Sequence, residues 1–216
     1  MTNRNFVTLE DEIAPSVPGC PQPVILQYVR RSAIESCERT LAWRYYQESQ
    51  TLTAGVYEYD YETPSTSEVC GVIHAALNDA ELHRYSQEEI HRRYPDWPST
   101  DSTKRSTPLM LGQFDPDHYI VAPVPDGTTY TLNMFLALRP KPDATYMDKT
   151  AFDELEDIIT HGALQHMLVL PNKSWTDREL ANYHAKQFTF KIAARRAKAN
   201  LGVSRGSIRV QNTQWA

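Results

Sequence analysis

Val56-Tyr57-Glu58-Tyr59-Asp60-Tyr61-Glu62 alternates tyrosines with mostly acidic residues, and this stretch decides how the 216-residue chain divides. Successive side chains on a strand point to opposite faces, so the three tyrosines share a packed face and the acids a wet one. Upstream the period differs. Leu26, Val29, Ala33, Cys37 and Leu41 recur at helical spacing, while Arg30, Arg31, Glu35, Glu38 and Arg39 fall mostly elsewhere. A helix is predicted from Pro21 or Pro23, where proline is tolerated in a first turn, to about Tyr45.

Downstream the alternation continues. Val69 to Leu77 ends at Asn78-Asp79 and returns through Ala80-Glu81-Leu82, which reads as a hairpin. Ser86 followed by Glu89 is a capping-box pattern for a short helix to Arg93, stopped at Pro95. Pro98 to Pro108 is almost free of apolar residues and is predicted as an exposed loop. Strand character resumes at Tyr119-Ile120-Val121 and turns at Asp126-Gly127. It then runs on as Tyr130, Leu132, Met134, Leu136 and Leu138 alternating with Thr131, Asn133, Phe135 and Ala137.

The helical period returns at Asp148, an N-cap candidate. Asp153, Glu154, Glu156 and Asp157 put negative charge in the early turns, where the helix dipole favours it. Phe152, Leu155, Ile159, Gly162, His166 and Leu170 lie near one face, and Pro171 closes the helix. The next start has a capping box, Thr176 with Glu179, and a staple pair, Trp175 with Leu180. This helix can reach Gly202, a rod of roughly 36 Å. Leu180, Tyr183, Gln187, Phe190, Ala194, Ala197 and Leu201 alternate three and four apart along it, a packing stripe for helices of the bundle or of another subunit, with Lys191 and Arg195 beside it. The predicted fold class is α+β, mainly an α-helical bundle with a β-rich antiparallel insertion and extended N- and C-terminal arms. Residues 21–47 and 141–202 form the bundle core, 48–140 the insertion, and 1–20 and 203–216 the arms.

Hydrophobic residues at 41% and charged residues at 23% are ordinary for a globular chain. No run approaches the roughly 18 to 20 apolar residues of a membrane span. The opening MTNRNFVTLEDEIAP is polar and acidic, so no membrane or secreted destination is expected. Three scattered cysteines, Cys20, Cys37 and Cys70, fit neither a disulfide framework nor a CxxC metal site and point to synthesis in a reducing compartment. The net charge of −5 is uneven: from Lys173 onward nine basic residues face two acids, leaving thirteen against twenty-five elsewhere. A basic element on an acidic body can steer an acidic partner or join like subunits.

GxSxG, GxxxxGK[ST], GxGxxG and HExxH are all absent, which removes the strongly signalled hydrolases, nucleotidases and dehydrogenases. His161 and His166 lie about 140° apart on one helix, unlike an i, i+4 metal pair, and with His184 they read as core or interface residues. No catalytic residue, cofactor site or metal site is assigned, and the chain is read as a non-enzyme. The basic set Lys191, Arg195, Arg196 and Lys198, with Arg205 and Arg209 beyond, could neutralise phosphates. With no aromatic platform interleaved and an acidic body attached, protein contact is preferred. A nucleic-acid-binding protein using this helix is the rival reading.

The segment LRPKPDATYMDKTAFDELEDIITHGALQHMLVLPNKSWTDRELANYHAKQF resembles the head-to-tail adaptor (connector) proteins of short-tailed bacteriophages. CPQPVILQYVRRSAIESCERTLAWRY and DHYIVAPVPDGTTYTLNMFLAL look like that family's first helix and late hairpin, so Cys20 to Gly202 is in register. The stretch between Tyr94 and Leu109 is shorter than expected for the family's insertion. The resemblance implies a structural virion protein at the head–tail junction, synthesised in the bacterial host cytoplasm. It implies a homo-oligomeric ring, a dodecamer, bound to the portal protein above and to the tail nozzle protein below, with tail fibres as a further contact. DNA would pass through the lumen without sequence-specific binding. In that setting the tail is expected to bind the portal by strand addition, with Ile208 and Val210 burying alternate side chains, Arg205 and Arg209 meeting acids and Trp215 as an anchor.

Overall fold

A computed structural model describes residues 2–99, 101–113 and 115–201. After β1 (Asn3–Asn5) and the short α1 (Glu10–Ile13) comes α2 (Gln22–Thr40), with Pro23 in its first turn where a missing N–H breaks no hydrogen bond. It ends at Leu41, which turns left-handed (φ 51°) and gives its N–H to the Cys37 carbonyl at 2.8 Å. Strand character therefore starts earlier than expected, with β2 (Arg44–Leu52). The order continues through β3 (Glu58–Asp60), β4 (Ser67–Leu77), β5 (Ala80–Glu81), β6 (His83–Arg84) and α3 (Gln87–Arg93). There follow β7 (Met110–Gln113), β8 (His118–Ala122), β9 (Tyr130–Pro140), β10 (Tyr146–Asp148), α4 (Lys149–Met167) and α5 (Arg178–Leu201).

The local signals act as chemistry requires. Asn78 and Asp79 take φ of 47° and 65° in a two-residue turn that pairs Leu77 with Ala80. The Glu89 N–H donates to Ser86 Oγ at 3.3 Å, capping α3. Asp148 Oδ1 accepts from the N–H groups of Thr150 and Ala151 at 2.9 and 3.1 Å, capping α4.

One sheet has the order β2-β9-β4-β5 and a second β3-β8-β7-β6, while β1 pairs β10. Gln50 is the register partner of Leu132, and its Oε1 accepts the Tyr119 hydroxyl of β8 at 2.6 Å, so this face looks onto the second sheet. Arg139 stands on the opposite face of β9 and reaches Glu38 of α2. The four-stranded sheet is thus a middle layer, with helices on one side and the second sheet on the other. Val29, Ala33 and Cys37 of α2 and Ile159 and Ala163 of α4 belong to the same buried cluster as Leu132, Leu136, Leu138 and Tyr119.

This corrects the expected fold class. The described residues are 41% helix and 27% strand with several sheets, α+β but not mainly a helical bundle carrying an insertion. An alternating pattern shows that a strand has one packed face, not what covers the other; Ala137, on the face of β9 that alternation marks as wet, is fully buried. The N-terminal segment is likewise no extended arm. Phe6, Leu9, Ile13 and Val17, three and four apart, are all at most 2% exposed, and Asn3 to Asn5 pair with β10. Residues 203–216, expected as the other arm, lie outside the described residues.

Candidate assembly surface

Helix α5 begins one residue away from the predicted cap. The Leu180 N–H donates to Asp177 Oδ1 at 2.9 Å, while the Thr176 hydroxyl turns back to the Leu170 carbonyl and closes the loop from α4. Trp175 and Leu180 are both partly buried against the main core.

The helix has two stripes. Ala181, His184, Phe188 and Ile192 face inward, at 2, 8, 1 and 4% exposure. Gly162 of α4 makes room for them: a Cβ there would meet Ser32 Oγ of α2 and lie 2.7 Å from a Phe188 ring carbon. The stripe picked out by spacing instead faces outward. Tyr183 is 52% and Phe190 71% exposed, Ala194 and Ala197 are exposed, and Leu180 is intermediate. Contact with the chain's own bundle therefore falls on the neighbouring stripe. Both periods satisfy helical packing, and the sequence carries no mark that says which partner each one serves.

Charge on α5 divides the same way. Lys191 bonds Asp157 and Arg195 bonds Glu154, both on α4, whereas Lys186, Arg196 and Lys198 are exposed. The acidic group at the start of α4 is thus a strip of ion pairs, in which Lys149 and then Arg4 hold the Asp153 carboxyl below its ordinary range. Arg4 also bonds Glu156 at 2.6 Å.

His161 and His184 face each other across α4 and α5 with their Nδ1 atoms 2.7 Å apart, so one must donate a proton and the other accept it. Burial lowers the pKa of both, with the Lys191 charge adding to the effect on His161 and His161 adding to that on His184. His166 lies apart, 3.6 Å from Glu35 and stacked on Tyr28. Spacing separated His161 from His166 but could not reveal a partner on another helix. Among the described residues no group of three or more His, Cys, Asp or Glu is placed to hold a metal, and no helix is long and apolar enough to cross a membrane.

A second exposed aromatic site lies on the four-stranded sheet. Tyr46 and Phe135 are cross-strand partners, each 47% exposed, with ring centroids 4.9 Å apart. Phe135 was legible as the one aromatic residue on the otherwise small and polar face of β9. Tyr46 was hidden by the late helix end. Arg205, Ile208, Arg209, Val210 and Trp215, the expected portal contacts, lie outside the described residues.

A comparison with curated proteins finds no match. A family model described as SU10 adaptor protein matches residues 4–211, nearly the whole chain. The chain therefore belongs to the SU10 adaptor protein family, and so is a bacteriophage adaptor, a structural component of the virion.

Proposed function

We propose that copies of this chain form a ring, twelve in number, that joins the portal to the tail nozzle and lines the path of the DNA. The observation that carries this reading is the outward stripe of α5. A heptad-like seam with Tyr183 and Phe190 in water is a contact surface awaiting a partner, because isolated soluble chains rarely leave contiguous apolar patches bare. Membership of an adaptor family supports a like copy as that partner.

In the same reading the tail beyond Gly202 reaches the portal. Ile208 and Val210 add a strand to an exposed edge, Arg205 and Arg209 fix register against acidic groups, and Trp215 anchors the end. The rival role in nucleic-acid binding loses support, since Lys191 and Arg195, two of its cations, are engaged by carboxylates of α4.

Electron microscopy of the purified chain, alone and with portal rings, tests the proposal. Rings seated under the portal are expected, and truncation after Gly202 should leave helical circular dichroism intact while abolishing portal binding in sedimentation. A chain that stays monomeric beside the portal yet shifts labelled DNA in a salt-dependent way would favour the rival.

A further inference from the structure

The helix-side face of the four-stranded sheet is covered by α2 where Arg139 meets Glu38, and farther along β9 the described residues leave it partly open at Phe135. There Tyr46, Phe135 and His74 form one row across β2, β9 and β4, since Tyr46 and His74 are both register partners of Phe135. An uncovered face of an antiparallel sheet is ordinarily polar, so two touching rings in water mark a contact surface.

Charge identifies what fits it. The strands of the two sheets carry Glu48, Glu58, Asp60, Glu68 and Glu81 against Arg44, Arg84 and Arg139, and Arg139 is already paired with Glu38 and Glu68. Glu48 on β2 and Asp79 and Glu81 beside the β4–β5 turn are exposed. The complementary surface is on the same chain, where α5 turns outward two aromatic rings, small alanines that permit close approach, and exposed Lys186, Arg196 and Lys198.

We infer that the open face of the four-stranded sheet receives the outward face of α5 from a second copy of the chain. The inference rests on the ring reading and specifies its contact. Helix and sheet are different surfaces, so a docked pair keeps one of each free, and association continues until the ring closes. Opposite charge sets encounter and register, while the rings supply the buried contact.

Cysteine cross-linking tests the pairing in the full chain assembled on portal rings. Cys20→Ser removes one half-buried thiol, Cys37 is buried, and burial pushes the Cys70 thiol up to about 11, which keeps it protonated. In this background Phe135→Cys and Phe190→Cys are combined in one chain and oxidised with copper phenanthroline. A ladder of disulfide-linked multimers is expected, whereas a mixture of the two single variants should stop at dimers and either one alone should stay uncross-linked.

Dimers from Phe190→Cys alone would assign a helix-to-helix seam and overturn the inference. Cross-linking of Phe135→Cys to the portal protein would overturn it too. Rings that form but never cross-link would overturn the pairing while leaving the ring reading intact, and absence of any ring would sink both. Independently, Phe135→Ser should weaken assembly about tenfold or more at unchanged thermal stability. Unchanged assembly would contradict the proposal.

Discussion

The two long sides of α5 look equally good as helical patterns and do opposite things. The inner side, Ala181, His184, Phe188 and Ile192, is irregular in residue type and matched in shape to α4, with a phenylalanine lying over Gly162. The outer side, through Tyr183, Phe190, Ala194 and Ala197, is the more regular heptad and stands in water. Folding fixes the first; the second is the surface proposed for assembly. An apolar stripe on a helix therefore need not be the one its own chain buries, because an assembling subunit must satisfy two sets of contacts with one sequence.

Substitutions on either side should separate these roles. The largest effect is expected at Phe188→Ala, where emptying a fully buried site should cost about 3 to 5 kcal/mol in chemical denaturation. Gly162→Ala comes next. The new methyl would displace Phe188 and the Ser32 hydroxyl, which donates to the Ile159 carbonyl at 2.9 Å. Overpacking of about 1 to 3 kcal/mol should outweigh the gain of up to about 1 kcal/mol from replacing a helical glycine. Asp177→Ala, which removes the α5 cap, should cost about 1 kcal/mol.

The histidine pair gives a pH-dependent difference between the two sides. His161 and His184 titrate below the ordinary value of 6.5, so the unfolded chain binds protons first. Stability should therefore hold above that pH and fall as pH drops below it, and a His161→Phe/His184→Phe double variant should flatten the slope. His118 is an internal contrast. Asp115 and then Asp60 raise its pKa, so its small contribution is present below 6.5 and fades as pH rises through its folded value. Histidine resonances followed by NMR should move in these opposite senses. The smallest effect on folding is expected at Phe190→Ala, within about 0.5 kcal/mol because the ring is exposed. A larger loss would mean that the outer side serves the fold after all.

Much of the fold was legible where local chemistry is decisive. The Asn78-Asp79 turn, the Ser86 and Asp148 caps and the buried alternation from Tyr130 to Leu138 each follow from a few neighbouring residues. What misled was tertiary. Nothing in the alternation of β9 announces that α2 packs on this strand or that Ala137 is buried, so a central sheet passed for an insertion. The polar character of the first residues masked the spacing of Phe6, Leu9, Ile13 and Val17. For the assembly surface, spacing found the outer stripe of α5 but not its orientation, since orientation depends on Gly162 and Phe188 fitting one another across two helices.

The most direct measurement is the number of copies bound per portal ring, taken by native mass spectrometry or imaging, for the unmodified chain and a Tyr183→Ser/Phe190→Ser variant. A complete ring is expected for the first, and for the second a folded monomer, with unchanged circular dichroism, that no longer forms one. A variant that assembles the same ring at the same concentration would contradict the claim that the outer face of α5 joins the copies.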